Sequence, residues 1–387
     1  MRGIIMLEKL NPDTLLRLKK WGYLACWMLF LPMVPFSALV GREQGTQNLW
    51  AWMILAVFFI LVPVVDYLVG KDPVNPDEEK QVPELSQDKS YRALPLLLAV
   101  AWLGLLFYAG HVFVSNDYSL AGMLGWIMSI GLLGGVIAIN LGHELIHKDP
   151  KVENWMGGLL LSSVTYGGFK VEHVRGHHVH VSTPDDASSS RYNQSLYDFL
   201  PKAFVRNFKN AWKLEKQYLE RKGKNNISIH NELIWWYGIS LLFAVAFGVL
   251  WGWQGVLFFV GQSFFAALAL EIVNYIEHYG LHRRQLQTGR YERVTPAHSW
   301  NSNFLITNLV LFQLQRHSDH HAYAKRRYQV LRHYDESPQL PAGYSAMMLL
   351  AMVPPLWKSV MNPRVEAYYQ GELDQLFREG PRINNIA

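Results

Sequence analysis

Nine of the fifteen histidines in this chain stand in three tight boxes and one outlying motif. The boxes are His143-Glu-Leu-Ile-His147, His173-Val-Arg-Gly-His177-His178 and His317-Ser-Asp-His320-His321, and the outlier is His278 in Asn-Tyr-Ile-Glu-His. Imidazole binds iron, copper, nickel and zinc. A structural zinc takes four ligands and a catalytic one about three. Nine clustered candidates exceed what one metal needs, so the first expectation is a two-metal site. Spacings of three and four residues put each box on one helical face.

Carboxylates stand near these groups. A ligating imidazole usually donates its second ring N–H to a carboxylate or carbonyl. Glu144, Glu277 and Asp319 are the candidate catalytic acids, while Glu172, Asp186, Asn274 and His298 are expected behind the ligands. The residues leave open whether any acid bridges two metals. Box one alone also fits the zinc-protease pattern His-Glu-x-x-His, with Glu144 as general base. That reading needs one further ligand and leaves the pairs His177-His178 and His320-His321 without a purpose.

The elements that must carry these boxes are apolar. Half the residues are hydrophobic and 17% are charged. Uncharged apolar stretches of this length are read as membrane spans. They run from Trp21 to Val40, Leu49 to Val65, Ala93 to Gly110 and Tyr118 to Leu141. A fifth stretch, Leu233 to Leu270, is too long for one helix and is punctuated by Gly252-Trp253-Gln254-Gly255, so it reads as two helices in a hairpin. Six spans put both termini on one side. Of the 36 Lys and Arg residues only Arg42 falls in an outer loop, and the positive-inside rule places the other 35 in the cytoplasm. The net charge of +5 then faces anionic lipid and acidic cytoplasmic partners. No nucleic-acid partner is expected. The polar N-terminus and long first span argue against a cleavable signal peptide. The single cysteine, Cys26, excludes an internal disulfide or a cysteine-ligated iron module.

The expected layout is a cytoplasmic segment at 1–20, four transmembrane helices in 21–141, boxes one and two in a cytoplasmic region at 142–232, two more helices in 233–276, and a cytoplasmic region with His278 and box three at 277–387. The fourth and sixth spans then deliver His143 and His278 at their cytoplasmic ends. The apolar segments Phe304 to Gln315 and Tyr344 to Val360 are expected to be buried or interfacial rather than spanning.

The strings Asn140-Leu-Gly-His-Glu-Leu-Ile-His-Lys148, Glu172-His-Val-Arg-Gly-His-His-Val-His-Val181, Asn274-Tyr-Ile-Glu-His-Tyr-Gly-Leu281 and Leu314-Gln-Arg-His-Ser-Asp-His-His-Ala322 resemble those of the membrane-bound non-haem di-iron alkane 1-monooxygenases, within the wider desaturase and hydroxylase superfamily. One departure is Ala297, where relatives often carry a second histidine before His298. The resemblance implies an all-α integral membrane protein with six transmembrane helices and a cytoplasmic helical cap holding a histidine-rich di-iron site. It implies an inner-membrane enzyme whose metal site and termini are cytoplasmic, hydroxylating the terminal methyl of medium- to long-chain n-alkanes with O2. The nine clustered histidines map onto the family's ligands for two irons. Electrons are expected from rubredoxin, acting in trans with its NAD(P)H-dependent reductase. Phe58 on the second span matches the family's tunnel-blocking position. The alternatives are a related desaturase, an aromatic side-chain hydroxylase and, more remotely, the zinc protease.

Overall fold

The computed structural model describes Leu7, residues 10–72 and residues 74–370. Those residues form helices joined by loops, with isolated β-bridges only. Four helices are long and apolar enough to cross a membrane: α1 (Pro12–Glu43), α3 (Lys89–Ser115), α4 (Leu120–Ile146) and α8 (Glu232–His278). A shorter apolar helix, α2 (Met53–Val69), lies between the first two. The stretch expected to span from Leu49 is interrupted by a turn at Ala51 and Trp52, which leaves α2 below spanning length. Between α4 and α8 come α5 (Lys151–Ser162), α6 (Phe169–Glu172) with a π turn at His173–His177, and α7 (Leu196–Arg221). After α8 come α9 (His317–Ala322), α10 (Tyr344–Ala351) and α11 (Pro354–Tyr369).

Short polar residues start these helices. The side chains of Asn11, Asp88, Ser119, Ser195 and Asn231 accept the first free backbone N–H groups of α1, α3, α4, α7 and α8. Such caps satisfy donors that a helix start otherwise leaves unpaired. This matters most where lipid offers no partner.

α8 is two helices. Gly252 takes φ +63°, ψ −153°, and Phe243 stacks on Phe259 with ring centroids 6.0 Å apart. The two arms therefore run antiparallel. The second arm packs on α4, the most buried of the four long helices. That approach needs glycine at Gly131, because a Cβ there would sit 2.5 Å from the Cβ of Phe265. Within α4 a π turn at Gly135–Ile139 directly precedes box one. A π turn adds one residue and turns everything after it by about 100°.

The loop before box three is held from two sides. Phe312 and Gln313 both adopt left-handed φ, +51° and +61°. Asn140 donates to the Leu311 carbonyl at 3.0 Å, and Gln313 donates to the Tyr23 hydroxyl at 2.7 Å. These contacts tie α4 and α1 to the loop and hold a backbone that costs about 1–3 kcal/mol per strained residue. Beside it, Asp72 bridges Lys19 of α1 at 2.6 Å and Arg316 at 2.8 Å, all three buried.

Candidate metal centre

All nine clustered histidines converge, and they sort into two groups. His143, His147, His173, His178 and His320 form one, and His177, His278, His317 and His321 the other, with the candidate ligand atoms of each group within 4.8 Å of one another. Neither group follows the boxes. Each box contributes to both groups except the first, and His278 completes the four-histidine set. In box two the π turn at His173–His177 shifts the register, so that His173 groups with His178, five residues on, and not with His177.

The nitrogen spacing fits metal ligation. The Nε2 atoms of His173 and His178 are 3.0 Å apart, those of His178 and His320 are 3.2 Å apart, and those of His177 and His321 are 3.2 Å apart. In the same group the Nε2 atoms of His317 and His321 lie 2.9 Å apart. Two nitrogens each about 2.1 Å from one cation lie about 3.0–3.4 Å apart at ordinary coordination angles. The Nε2 atoms of His143, His147 and His278 are buried with no hydrogen-bond partner. A buried polar atom left so costs about 1–3 kcal/mol. A cation in each group would engage every one of them, so the residues fit two metals. The all-nitrogen donor set suits iron, copper, nickel or zinc and argues against magnesium and calcium, which prefer oxygen.

Burial keeps the ligands neutral, as ligation requires. Burial first, and neighbouring imidazoles next, hold His147, His173, His178, His317, His320 and His321 well below the usual histidine range. His177 differs. Burial opposes its charge, but Asp186 at 3.0 Å from Nδ1 outweighs that and raises it. Asp186 is itself fixed by the Ser188 N–H at 3.1 Å and the Ser189 hydroxyl at 2.5 Å.

The other expected residues divide by what they touch. Glu277 reaches the site, with Oε2 3.1 Å from the His317 Nε2 and the Tyr344 hydroxyl beside its carboxyl. Glu144 instead meets Lys148 at 3.1 Å and the Tyr328 N–H at 3.3 Å. Asp319 accepts from the Arg332 N–H at 3.0 Å and the Tyr334 hydroxyl at 3.1 Å, and pairs with Arg326 at 3.3 Å. Glu172 is buried behind the π turn, and burial, with Asp186 adding, pushes its carboxyl up to about 8. The His298 ring turns to Glu292 at 3.1 Å, but its backbone carbonyl accepts from the His278 Nδ1 at 3.3 Å. It is the carbonyl, not the imidazole, that backs a candidate ligand. Asn274 donates to Glu271 at 3.2 Å. Glu271, fully buried, was not among the expected residues; its signal in the sequence is one acid closing a long uncharged run.

An apolar chamber of about 50 Å³ ends on His143, His173 and His317, with Asn274 and Glu277 beside them. Phe58, buried on the π turn of α2, lines it along with Leu132 and Ile139.

The fatty acid desaturase family pattern matches residues 118–350, which hold all four histidine groups. Alkane 1-monooxygenase 2 of Alcanivorax borkumensis is 74% identical over 382 residues, covering 99% of this chain and 100% of that one. The chain belongs to the alkane 1-monooxygenase family. A second alkane 1-monooxygenase 2, from Pseudomonas aeruginosa, is 56% identical over 96% of this chain and 98% of its own. Beyond the alkane 1-monooxygenases, the xylene/toluene monooxygenase hydroxylase component of Pseudomonas putida is 28% identical over 88% of this chain and 89% of its own.

Proposed function

We propose that this chain hydroxylates the terminal methyl of medium- to long-chain n-alkanes to 1-alkanols, consuming O2, two electrons and two protons and releasing water. The observation that carries this reading is the join between two environments. An apolar chamber ends directly on ligands from both histidine groups. A substrate with no polar handle can be placed only by shape and burial, and the chamber offers it those alone until its last few ångströms.

His143, His147, His173, His178 and His320 would hold one iron, and His177, His278, His317 and His321 the other. Bound there, two irons supply the redox chemistry that activates O2, which side chains cannot. The chain's own residues do the rest. Asp186 fixes the His177 ring by its Nδ1, and the His298 carbonyl does the same for His278. Phe169 stacks on His173 at 4.5 Å and closes the side of the chamber. Leu132, Ile139 and Phe58 exclude water from the substrate chain. Glu277 is positioned to complete a coordination sphere or to hold a proton beside His317.

Phe58 is the bulky group along the chamber placed to limit chain length. In the bilayer, α1, α2 extended by the helical turn Gln47–Trp50 before it, α3, α4 and the two arms of α8 make six crossings, with the metal centre on the cytoplasmic side of the inner membrane. This orientation rests on the Lys and Arg distribution. Rubredoxin, reduced by an NAD(P)H-dependent flavoprotein, brings electrons in trans to the basic cytoplasmic face.

The test is membranes containing the protein, incubated with an n-alkane, rubredoxin, its reductase and NADH. The expected result is the 1-alkanol carrying one atom of labelled O2. No alcohol from any n-alkane across a chain-length series would defeat the proposal.

A further inference from the structure

Beside the metal chamber lies a second cavity whose polarity runs the wrong way for an alkane. It is a groove of about 410 Å³ where α7 meets the second arm of α8. Its inner end is polar, with Tyr166, Asn207 and Ser263, the last two buried. Its outer end is Phe208 of α7 with Val260 and Phe264 of α8, each more than half exposed.

The groove is joined to the chamber twice. Phe169 lines both cavities, its ring stacked on His173 at 4.5 Å and on Tyr166 at 6.0 Å. Glu271 lies between them. On the groove side it accepts from the Tyr166 hydroxyl and from Asn207 at 2.9 Å; on the chamber side it accepts from Asn274 at 3.2 Å. Glu271 is fully buried, and uncharged donors meet it on both sides. A carboxyl so placed in a membrane helix is a functional feature before it is a structural one.

We propose that this groove is the exit for the 1-alkanol product. The proposal rests on the alkane-hydroxylating reading given above. Tyr166 and Asn207 already donate to Glu271, and Ser263 accepts from Gln262 at 2.9 Å, so an alkane lying here gains no hydrogen bond, whereas a hydroxyl can donate to the Tyr166 oxygen and accept from the Ser263 hydroxyl. A primary alcohol matches the groove end for end. Its hydroxyl exchanges hydrogen bonds with Tyr166, Asn207 and Ser263 as it passes Phe169, and its chain lies along Phe208 and Phe264 toward the lipid. The reaction creates the one group that the groove recognises, so substrate is held in the chamber and product is drawn out of it.

The test is photolabelling of the full-length protein in lipid nanodiscs, with a 1-alkanol carrying a diazirine on its chain. Adducts are expected at 204–208 and 260–267, with 1-dodecanol displacing the probe about tenfold better than n-dodecane, the net worth of about one neutral hydrogen bond. Equal displacement by the two, or adducts elsewhere only, would overturn the proposal. Ala267→Leu, which narrows the groove, is expected to cut labelling about tenfold and to produce a burst of bound alcohol ahead of slower steady turnover. Phe204→Ala, which widens it, is expected to do the reverse. Unchanged labelling in both variants would also overturn the exit. The labelling needs no turnover. A protein that labels as described yet oxidises no alkane would fail as a hydroxylase while keeping an alcohol site.

Discussion

The Nδ1 of His177 lies 3.0 Å from Asp186, and its Nε2 lies 3.2 Å from the Nε2 of His321. One imidazole thus has one nitrogen committed to an acid and the other to the four-histidine group. Removing the acid should loosen the ring without removing the ligand. Asp186→Asn is expected to weaken metal binding by about 10–100-fold, the usual cost of losing such a partner. Chelator competition followed by metal analysis would show it. Unchanged affinity would mean that Asp186 serves the Ser188–Ser189 turn alone.

Glu144 sits inside the most protease-like motif, but its carboxylate is spent on Lys148 and the Tyr328 N–H. Glu144→Gln is expected to keep full metal content and to lower stability by about 1–3 kcal/mol through the weakened buried contacts. Metal quantification beside a thermal melt in detergent checks both halves. Loss of metal would return Glu144 to the site.

Phe58 lines the chamber rather than facing lipid. Phe58→Ala is expected to raise the ratio of kcat/KM for long over short alkanes by roughly tenfold, on the scale of apolar pocket discrimination. An unchanged product profile across chain lengths would sink Phe58 as the length limit.

Among the described residues, Asp72 is the one anion between two buried cations, Lys19 and Arg316. Arg316 immediately precedes box three. Asp72→Asn leaves both cations without it and is expected to cost about 3–5 kcal/mol, read as a lower melting temperature with metal bound. A melt within a degree of wild type would show that Arg316 is held without it, by the Leu331 and Val74 carbonyls and the Asn303 and Asn75 side chains.

The histidines were legible because ligand spacing and apolar flanks are local patterns. Asp186 was legible for the same reason, nine residues from His177. The division into groups was not. In box two the π turn at His173–His177 breaks the 3.6-residue period on which helical-face reasoning rests, and in box three His320 leaves the group that His317 and His321 share. Glu144 and Asp319 stood in the boxes, yet apart from Lys148, four residues after Glu144, the groups that hold them come from residues 326–334, which no spacing rule reaches. The break at Gly252 was visible in composition, whereas the break before Met53 was not, because Ala51 and Trp52 carry no turn signal. The Asp72–Arg316 pair joins residues 244 positions apart and needs the fold to be seen.

The central claim is that nine histidines hold two irons in a five-and-four division. Iron quantification with Mössbauer spectroscopy on the purified, reconstituted protein tests it most directly, for wild type and for His278→Ala from the four-histidine group. Two irons per chain are expected in wild type, in two inequivalent environments, with selective weakening of one environment in the variant. A single zinc per chain, or one uniform iron signal that His278→Ala leaves untouched, would contradict it.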